Sequence, residues 1–197
     1  MPGGRPRAFD PDTALDRALE VFWRQGYEGT SMADLTAAMG INRTSLYATF
    51  GNKEQLFHQA LDRYVTSPGA FAAEALEAPT ARAVVERLLL GTIELTTGPH
   101  TPHGCLSVNS VHACAPDSAP VRQEVIARRM AGEAALRRRF EQAADLPADC
   151  DPQVLARLVH TLTDGIAVQA ASGHTREQLR QAADLALRTL FRLSGCG

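Results

Sequence analysis

Apolar positions in this chain recur at three- and four-residue spacing, and the runs are parted by glycine, proline and small polar residues. Leu15, Leu19 and Phe22 line one face of a helix predicted over 12–26. Met32, Leu35 and Met39, at i, i+3 and i+7, predict a second over 31–39. Ser31 is a good N-cap for it, and Gly40 sits where a left-handed residue would stop it. Ile41 then turns back to the core, and Asn42 can cap a third helix over 43–49 with Leu46 and Phe50 as its inward pair. A fourth helix over 53–66 keeps a stripe of Leu56, Phe57, Ala60, Leu61 and Tyr64. Ser67-Pro68-Gly69 breaks the run.

The remainder also reads as helix. Val85, Leu88, Leu89 and Ile93 mark one over 80–97, and the Gly/Pro-rich run from Gly98 to Gly104 is a loop. A short helix over 106–114 is ended by Pro116, and a long one follows over 118–144. Pro147 and Pro152 bracket a loop before two last helices over 152–171 and 175–194, parted by Ser172-Gly173-His174. No strand pattern competes and no internal repeat is present, so the fold class is all-α. Three units follow along the chain: an arm at 1–10, a helix-turn-helix domain at 11–67 that includes linker helix four, and a helical domain at 68–197.

The third helix carries the first chemical signal. With Leu46 and Phe50 inward, Arg43, Thr44, Ser45, Tyr47 and Thr49 are left outside. A short helix with an outer face made of hydrogen-bonding groups suits a DNA major groove. The competing reading is an ordinary helical hairpin with a solvated face. Arg43 can take guanine O6 and N7 together, and Thr44 and Ser45 can reach base edges, thymine methyls or phosphates. Tyr47 and Lys53 suit phosphates, Lys53 at the start of helix four where backbone amides also favour an anion. Tyr47 is alternatively half-buried core with a wet hydroxyl.

From first helix to fourth, the landmarks run Ala18-Leu19-Glu20-Val21-Phe22, Gly26-Tyr27, Thr30-Ser31, Leu35, Met39-Gly40-Ile41, Leu46-Tyr47, Phe50 and Lys53-Glu54-Gln55-Leu56-Phe57. In that order and spacing, over roughly residues 8–57, the segment resembles the DNA-binding domain of the TetR family of bacterial transcriptional regulators. The rest of the chain is similar to that family in length and helical character only. The resemblance implies a homodimer on a double-stranded DNA operator, most often as a repressor, released by a small-molecule effector bound in the second domain. It implies DNA contacts from Ser31, Arg43, Thr44, Ser45, Tyr47, Thr49 and Lys53. Gly4-Arg5-Pro6-Arg7 cannot be helical, and it resembles arms that lay arginines such as Arg5 and Arg7 into a narrow A·T minor groove, against the alternative of a disordered solubilising tail. In this family the last two helices pair with their counterparts. The stripe of Leu155, Leu158, Val159, Leu162 and Ile166 and that of Leu179, Ala183, Ala186, Leu187, Leu190 and Phe191 therefore become candidate dimer faces, although both also suit a monomer's core. Two recognition helices about 34–36 Å apart would read a palindrome.

Composition narrows this reading. The 197 residues suffice for one or two small domains, and 45% apolar content makes the chain globular. Formal net charge is −2, and residues 1–67 hold seven Lys and Arg against eight Asp and Glu, so positive charge is local and strong non-specific DNA binding is disfavoured. The Arg137-Arg138-Arg139 cluster reads as a solvated face rather than a second DNA site. No apolar run reaches membrane-span length and MPGGRPRAFD lacks a secretory apolar stretch, so a cytoplasmic protein with free thiols is expected.

An effector pocket is expected among the helices of the second domain, with helix four as the lever to the DNA. Phe71, Leu89, Ile93, Cys105, Val108, Met130, His160, Thr163 and Asp164 are candidate lining, and most of them equally suit plain core. Asp164 is the one charge between Thr161 and Gly173 on a largely apolar helix, so it needs a partner or a wet cavity. His100, His103, Cys105, His112 and Cys114 fall within fifteen residues. Gly104-Cys105-Leu106 resembles a turn in a branch of the TetR family in which some members sense oxidants or electrophiles through a cysteine. The cluster thus has three readings: a thiol sensor at Cys105, a soft-metal site with non-standard spacing, or structural cysteines with loop histidines. An enzyme built on Cys105 lacks an acid–base constellation elsewhere, and a constitutive architectural DNA binder leaves the second domain without a purpose. No cofactor is implied.

Overall fold

The structure is a computed structural model, and it describes residues 9–111, 115, 118–146 and 149–192. These are helix and turn, with no strand among them. Asp10 caps α1 (Pro11–Gly29), accepting from the Asp12 and Thr13 amides at 3.2 and 3.3 Å, with Pro11 in the first turn. Gly26 leaves helical geometry at φ 69°, so the regular helix ends near the predicted 26 and a further turn follows. Ser31 and Asp34 form a capping box at the start of α2 (Met32–Met39), and Gly40 stops it at φ 68°, a left-handed conformation a Cβ disfavours. The Asn42 side chain accepts from the Ser45 amide at 2.8 Å to start α3 (Arg43–Phe50). Asn52 and Gln55 box the start of α4 (Lys53–Thr66).

These helices close on Phe22, Trp23, Leu35, Leu46, Leu56, Phe57 and Leu61. Phe22 and Tyr27 each meet the Phe57 ring edge-on, with centroids 5.0 and 5.1 Å apart. Arg63 of α4 clamps Asp16 of α1 through Nε at 2.6 Å and Nη2 at 3.0 Å.

A helix that the sequence pattern did not predict, α5 (Phe71–Leu76), follows the Ser67-Pro68-Gly69 break. Next come α6 (Ala81–Thr97), α7 (Leu106–Val111), α8 (Ala119–Glu141), α9 (Pro152–Ala171) and α10 (Arg176–Arg192). The expected continuation of α7 to 114 lies outside the described residues, as do His112, Cys114, Cys196 and the arm's Arg5 and Arg7. Val84, Val85, Leu88, Leu89, Ile93, Leu136, Phe140, Leu155, Val159 and Ile166 build a second core with α10.

Polar groups lock its edges. Asp145 accepts from the Ala81 amide at 2.8 Å, and Arg139 donates to the Leu76 and Ala78 carbonyls at 2.9 and 2.6 Å. The arginine cluster on α8 is therefore partly structural, not only a solvated face. Glu94 of α6 holds Arg176 and Arg180 of α10 at 2.8 and 2.7 Å.

The two cores are stitched together by α7 and α8. Leu106, Val121 and Val125 belong to the first core, whereas Leu136 and Phe140, farther along α8, belong to the second. Between them, Arg128 reaches Asp62 of α4 at 2.6 Å and Arg129 pairs with Asp164 of α9.

Candidate DNA-reading helix and ligand cavity

The α3 caps and the Leu46 and Phe50 anchors fix which face of that helix is free. Arg43, Thr44 and Tyr47 are exposed, and Ser45 and Thr49 are half-buried at its edges. Tyr47 is 48% exposed, which removes it from the core. Ser31 is exposed, but its hydroxyl is committed to Asp34, donating at 2.6 Å and accepting from the amide at 3.1 Å. Lys53 lies with Nζ 4.3 Å from the centre of the Tyr27 ring, a cation–π contact. Burial there pushes its ammonium below the usual lysine value, with Glu28 pulling the other way. Tyr27, at the family landmark Gly26-Tyr27, thus holds the first side chain of α4.

Between the two cores lie two adjoining pockets, or lobes, that share part of their wall. One of about 190 Å³ is walled by Tyr64, Thr96, Cys105, Val108, Arg129 and Asp164, among others. The other, of about 310 Å³, runs toward Leu88, Leu136 and Val159. Phe71, Ala72, Thr92, His160 and Thr163 line both lobes. Six of the nine sequence candidates therefore meet at one cavity: Phe71, Cys105, Val108, His160, Thr163 and Asp164.

Three do not. Leu89 and Ile93 are fully buried in the second core, on the side of α6 that packs against its neighbours. Met130 is 67% exposed on α8 and outside the wall. Periodicity identifies an inward face without saying whether that face meets a neighbour or a void. Asp164 finds the partner its setting requires in Arg129. Desolvation pushes the His160 imidazole below its usual value, with Asp164 and Glu133 opposing and Arg129 assisting.

The sequence reading missed Tyr64, Thr92, Thr96 and Arg129 as lining. Thr92 and Thr96 carried a usable signal: two hydroxyls one turn apart on the buried face of an apolar helix. The wall is also tied directly to the DNA-reading unit. Trp23 of α1, the chain's one tryptophan, donates Nε1–H to the Gly104 carbonyl at 2.9 Å. Gly104 is buried at φ 93°, which suits glycine. The Tyr64 hydroxyl of α4 donates to Cys105 Sγ at 3.2 Å, and the Trp23 and Tyr64 rings meet edge-on at 4.9 Å.

Cys105 immediately precedes α7, its carbonyl accepting from the Asn109 amide at 3.0 Å, and its thiol lies 3.1 Å from the Ser107 hydroxyl. Exposed His100 and His103 line a different, open cleft with Glu20 and Arg24. No group of three His, Cys, Asp or Glu residues suited to a metal occurs among the described residues. Nor is any described helix long and apolar enough to cross a membrane.

The candidate dimer leucines correct the expectation. Leu155, Ile166, Leu179 and Leu187 are buried in the chain's own second core, and Leu162 and Leu190 are partly buried against it. The free stripe lies beside them. On α9 it runs through exposed Val154, Leu158, Thr161, Gly165 and Val168, and on α10 through Ala182, Leu185 and Thr189. The most regular apolar stripe of each helix is used by the nearest core, and the sparser adjacent stripe is left open.

Comparison with known proteins agrees with this architecture. Residues 14–60 match the family described as "Bacterial regulatory proteins, tetR family". Over 190 residues the chain is 34% identical to the HTH-type transcriptional repressor ComR of Escherichia coli strain K12, covering 94% of this chain and 90% of ComR. The HTH-type transcriptional repressor BdcR of the same strain is 30% identical over 189 residues, covering 93% of this chain and 90% of BdcR. Among solved structures, a cysteine-substituted TetR family regulator CifR complexed with 26-base-pair operator DNA superposes with TM-score 0.89 at 43% identity. That match covers 93% of this chain and 98% of CifR.

Proposed function

The chain belongs to the tetR family and is a helix-turn-helix transcriptional regulator, and we propose that it is a repressor that leaves its operator when a small molecule fills the cavity between its cores. The observation that carries the second half of this reading is who builds the wall. Tyr64 comes from α4 of the DNA-reading unit, and Trp23 of α1 grips Gly104 directly beside Cys105. An occupant cannot move this wall without pulling on both helices that support α3. Transmission therefore runs through α1 as well as α4.

In this reading Arg43 reads a guanine, and Thr44 and Ser45 reach base edges or thymine methyls. Tyr47, Thr49, the start of α2 at Ser31 and the start of α4 at Lys53 position the domain on phosphates. Arg5 and Arg7 enter the minor groove. One helix of eight residues reads few bases, so two copies act on a palindrome. The unpartnered stripes of α9 and α10 are where the second copy docks. Such a regulator acts in the cytoplasm, beside the chromosome. The ligand shifts the balance between operator-competent and released states only by its differential affinity for them.

The test is a mobility shift on palindromes upstream of the chain's own gene, with and without candidate effectors. A sequence-specific shift reversed by a cavity-bound compound is the expected result. Specific binding that no occupant of the cavity alters would sink the effector part.

The place of the Cys105 thiol in the same wall favours one variant reading, in which covalent modification there replaces reversible occupancy. In that case Cys105→Ser would stay on the operator when an electrophile is added, while wild type leaves it.

A further inference from the structure

We propose that the cavity selects an uncharged, mainly apolar small molecule that presents a hydrogen-bond donor. The inference rests on the effector-site reading and adds the chemistry of the effector. Three observations carry it.

The first is charge. Among the described residues, Arg129 and Asp164 are the only full charges in the wall of either lobe, and they neutralise each other as an ion pair. An ionised ligand would have to break that pair or enter without a counter-charge, and both are costly where about two-thirds or more of each charged side chain is shielded from water. Half-buried His160, lining both lobes, is held toward its neutral form by desolvation and supplies no compensating charge at neutral pH.

The second is hydrogen-bond sense. The Thr92 hydroxyl already donates to the Leu88 carbonyl at 2.7 Å, Thr96 to the Thr92 carbonyl at 2.7 Å, and Thr163 to the His160 carbonyl at 2.9 Å. Tyr64 donates to Cys105 Sγ. Each of these hydroxyl protons is spent, and what each oxygen still offers is a lone pair. These four oxygens therefore offer acceptors, and an O–H or N–H on the ligand is their matching group. The donors left in the wall are the Arg129 guanidinium, turned to Asp164, a His160 ring N–H and one proton of the Cys105–Ser107 pair. A ligand that only accepts can meet those donors but leaves the threonine and tyrosine lone pairs unmatched.

The third is shape. The two lobes share Phe71, Ala72, Thr92, His160 and Thr163 in their walls, so one compact apolar body in either lobe can set its polar group against Thr92 and Thr163.

Four probes of one shape separate these features: benzyl alcohol, its methyl ether, benzoate and benzylammonium. Each is titrated into the full-length dimer at millimolar concentration, read by calorimetry and by the fluorescence of Trp23. The alcohol should bind, and several-fold to about tenfold more tightly than the ether, the scale of one net hydrogen bond. Benzoate and benzylammonium should bind more weakly than either. Ala72→Phe, which crowds the wall both lobes share from an exposed position, should abolish alcohol binding. Should that variant fold poorly, transfer of magnetisation from the alcohol to the Thr92 and Thr163 methyls locates it instead. Binding by an ionic probe as tight as the alcohol's, an ether equal to the alcohol, no binding by any probe, or alcohol binding elsewhere each overturns the proposal.

The same probes are then added to the protein–operator complex. An alcohol that binds in the cavity and leaves the complex intact preserves the ligand class and removes the effector reading. An ionic probe that binds there and releases DNA does the reverse.

Discussion

Arg43 stands exposed in the first turn of α3, with no ion pair among the described residues. Replacing it by alanine should cost roughly 1–3 kcal/mol of operator affinity per half-site through loss of one bidentate base contact. The fold and the oligomeric state should be untouched. Titration at matched salt checks this, and unchanged affinity removes Arg43 from the interface. Leu89 makes the opposite case. It is fully buried with core on every side, so Leu89→Ala should lower unfolding stability by about 2–5 kcal/mol. A denaturant melt measures it, and ligand affinity per folded molecule should stay the same. The two residues divide cleanly: one is worth affinity, the other stability.

Among elements, the contact of α1 with the turn before α7 is the most informative. Trp23→Phe keeps an aromatic ring against Tyr64 and removes the bond to Gly104 together with part of a buried indole, at a stability cost above that of the bond alone, about 1 kcal/mol. Ligand binding should persist while the ligand's power to release operator falls. A variant that binds and releases like wild type would confine transmission to α4. That contact was not legible in the sequence, because Trp23 and Gly104 are 81 residues apart and no local rule joins them. The helices themselves were legible, since caps such as Ser31, Asn42 and Gly40 act within a turn. The exception, α5, is six residues long without a side-chain cap, too short to establish a periodic stripe beside a Pro-Gly break. Of the residues picked from the sequence as candidate lining, six fall on the cavity wall, and Leu89 and Ile93 fall in the core, because inward is where both core and cavity lining lie.

For the molecule as a whole, the free stripes on α9 and α10 lead to a paired prediction. Leu158→Glu, on the open stripe, should yield folded monomers with weak operator binding, as read by sedimentation and circular dichroism. Leu187→Glu buries a charge in the core and should unfold the chain rather than merely separate it. A dimer that survives Leu158→Glu would move the interface elsewhere.

The passage of α8 through both cores bears on modularity. Leu106, Val121 and Val125 finish a core whose other buried members all precede residue 67, with Leu95, Cys105 and Val111 packed against it. A chain cut after residue 67 would carry a complete reading motif with an unfinished interior, and should melt well below the intact protein. Grafting the motif onto a relative's second domain should fail in the same way unless the stretch from 104 to 125 travels with it. The reading helices and the helices that finish their core are exchangeable only as an interleaved set, so the unit that can be recombined is not a contiguous one.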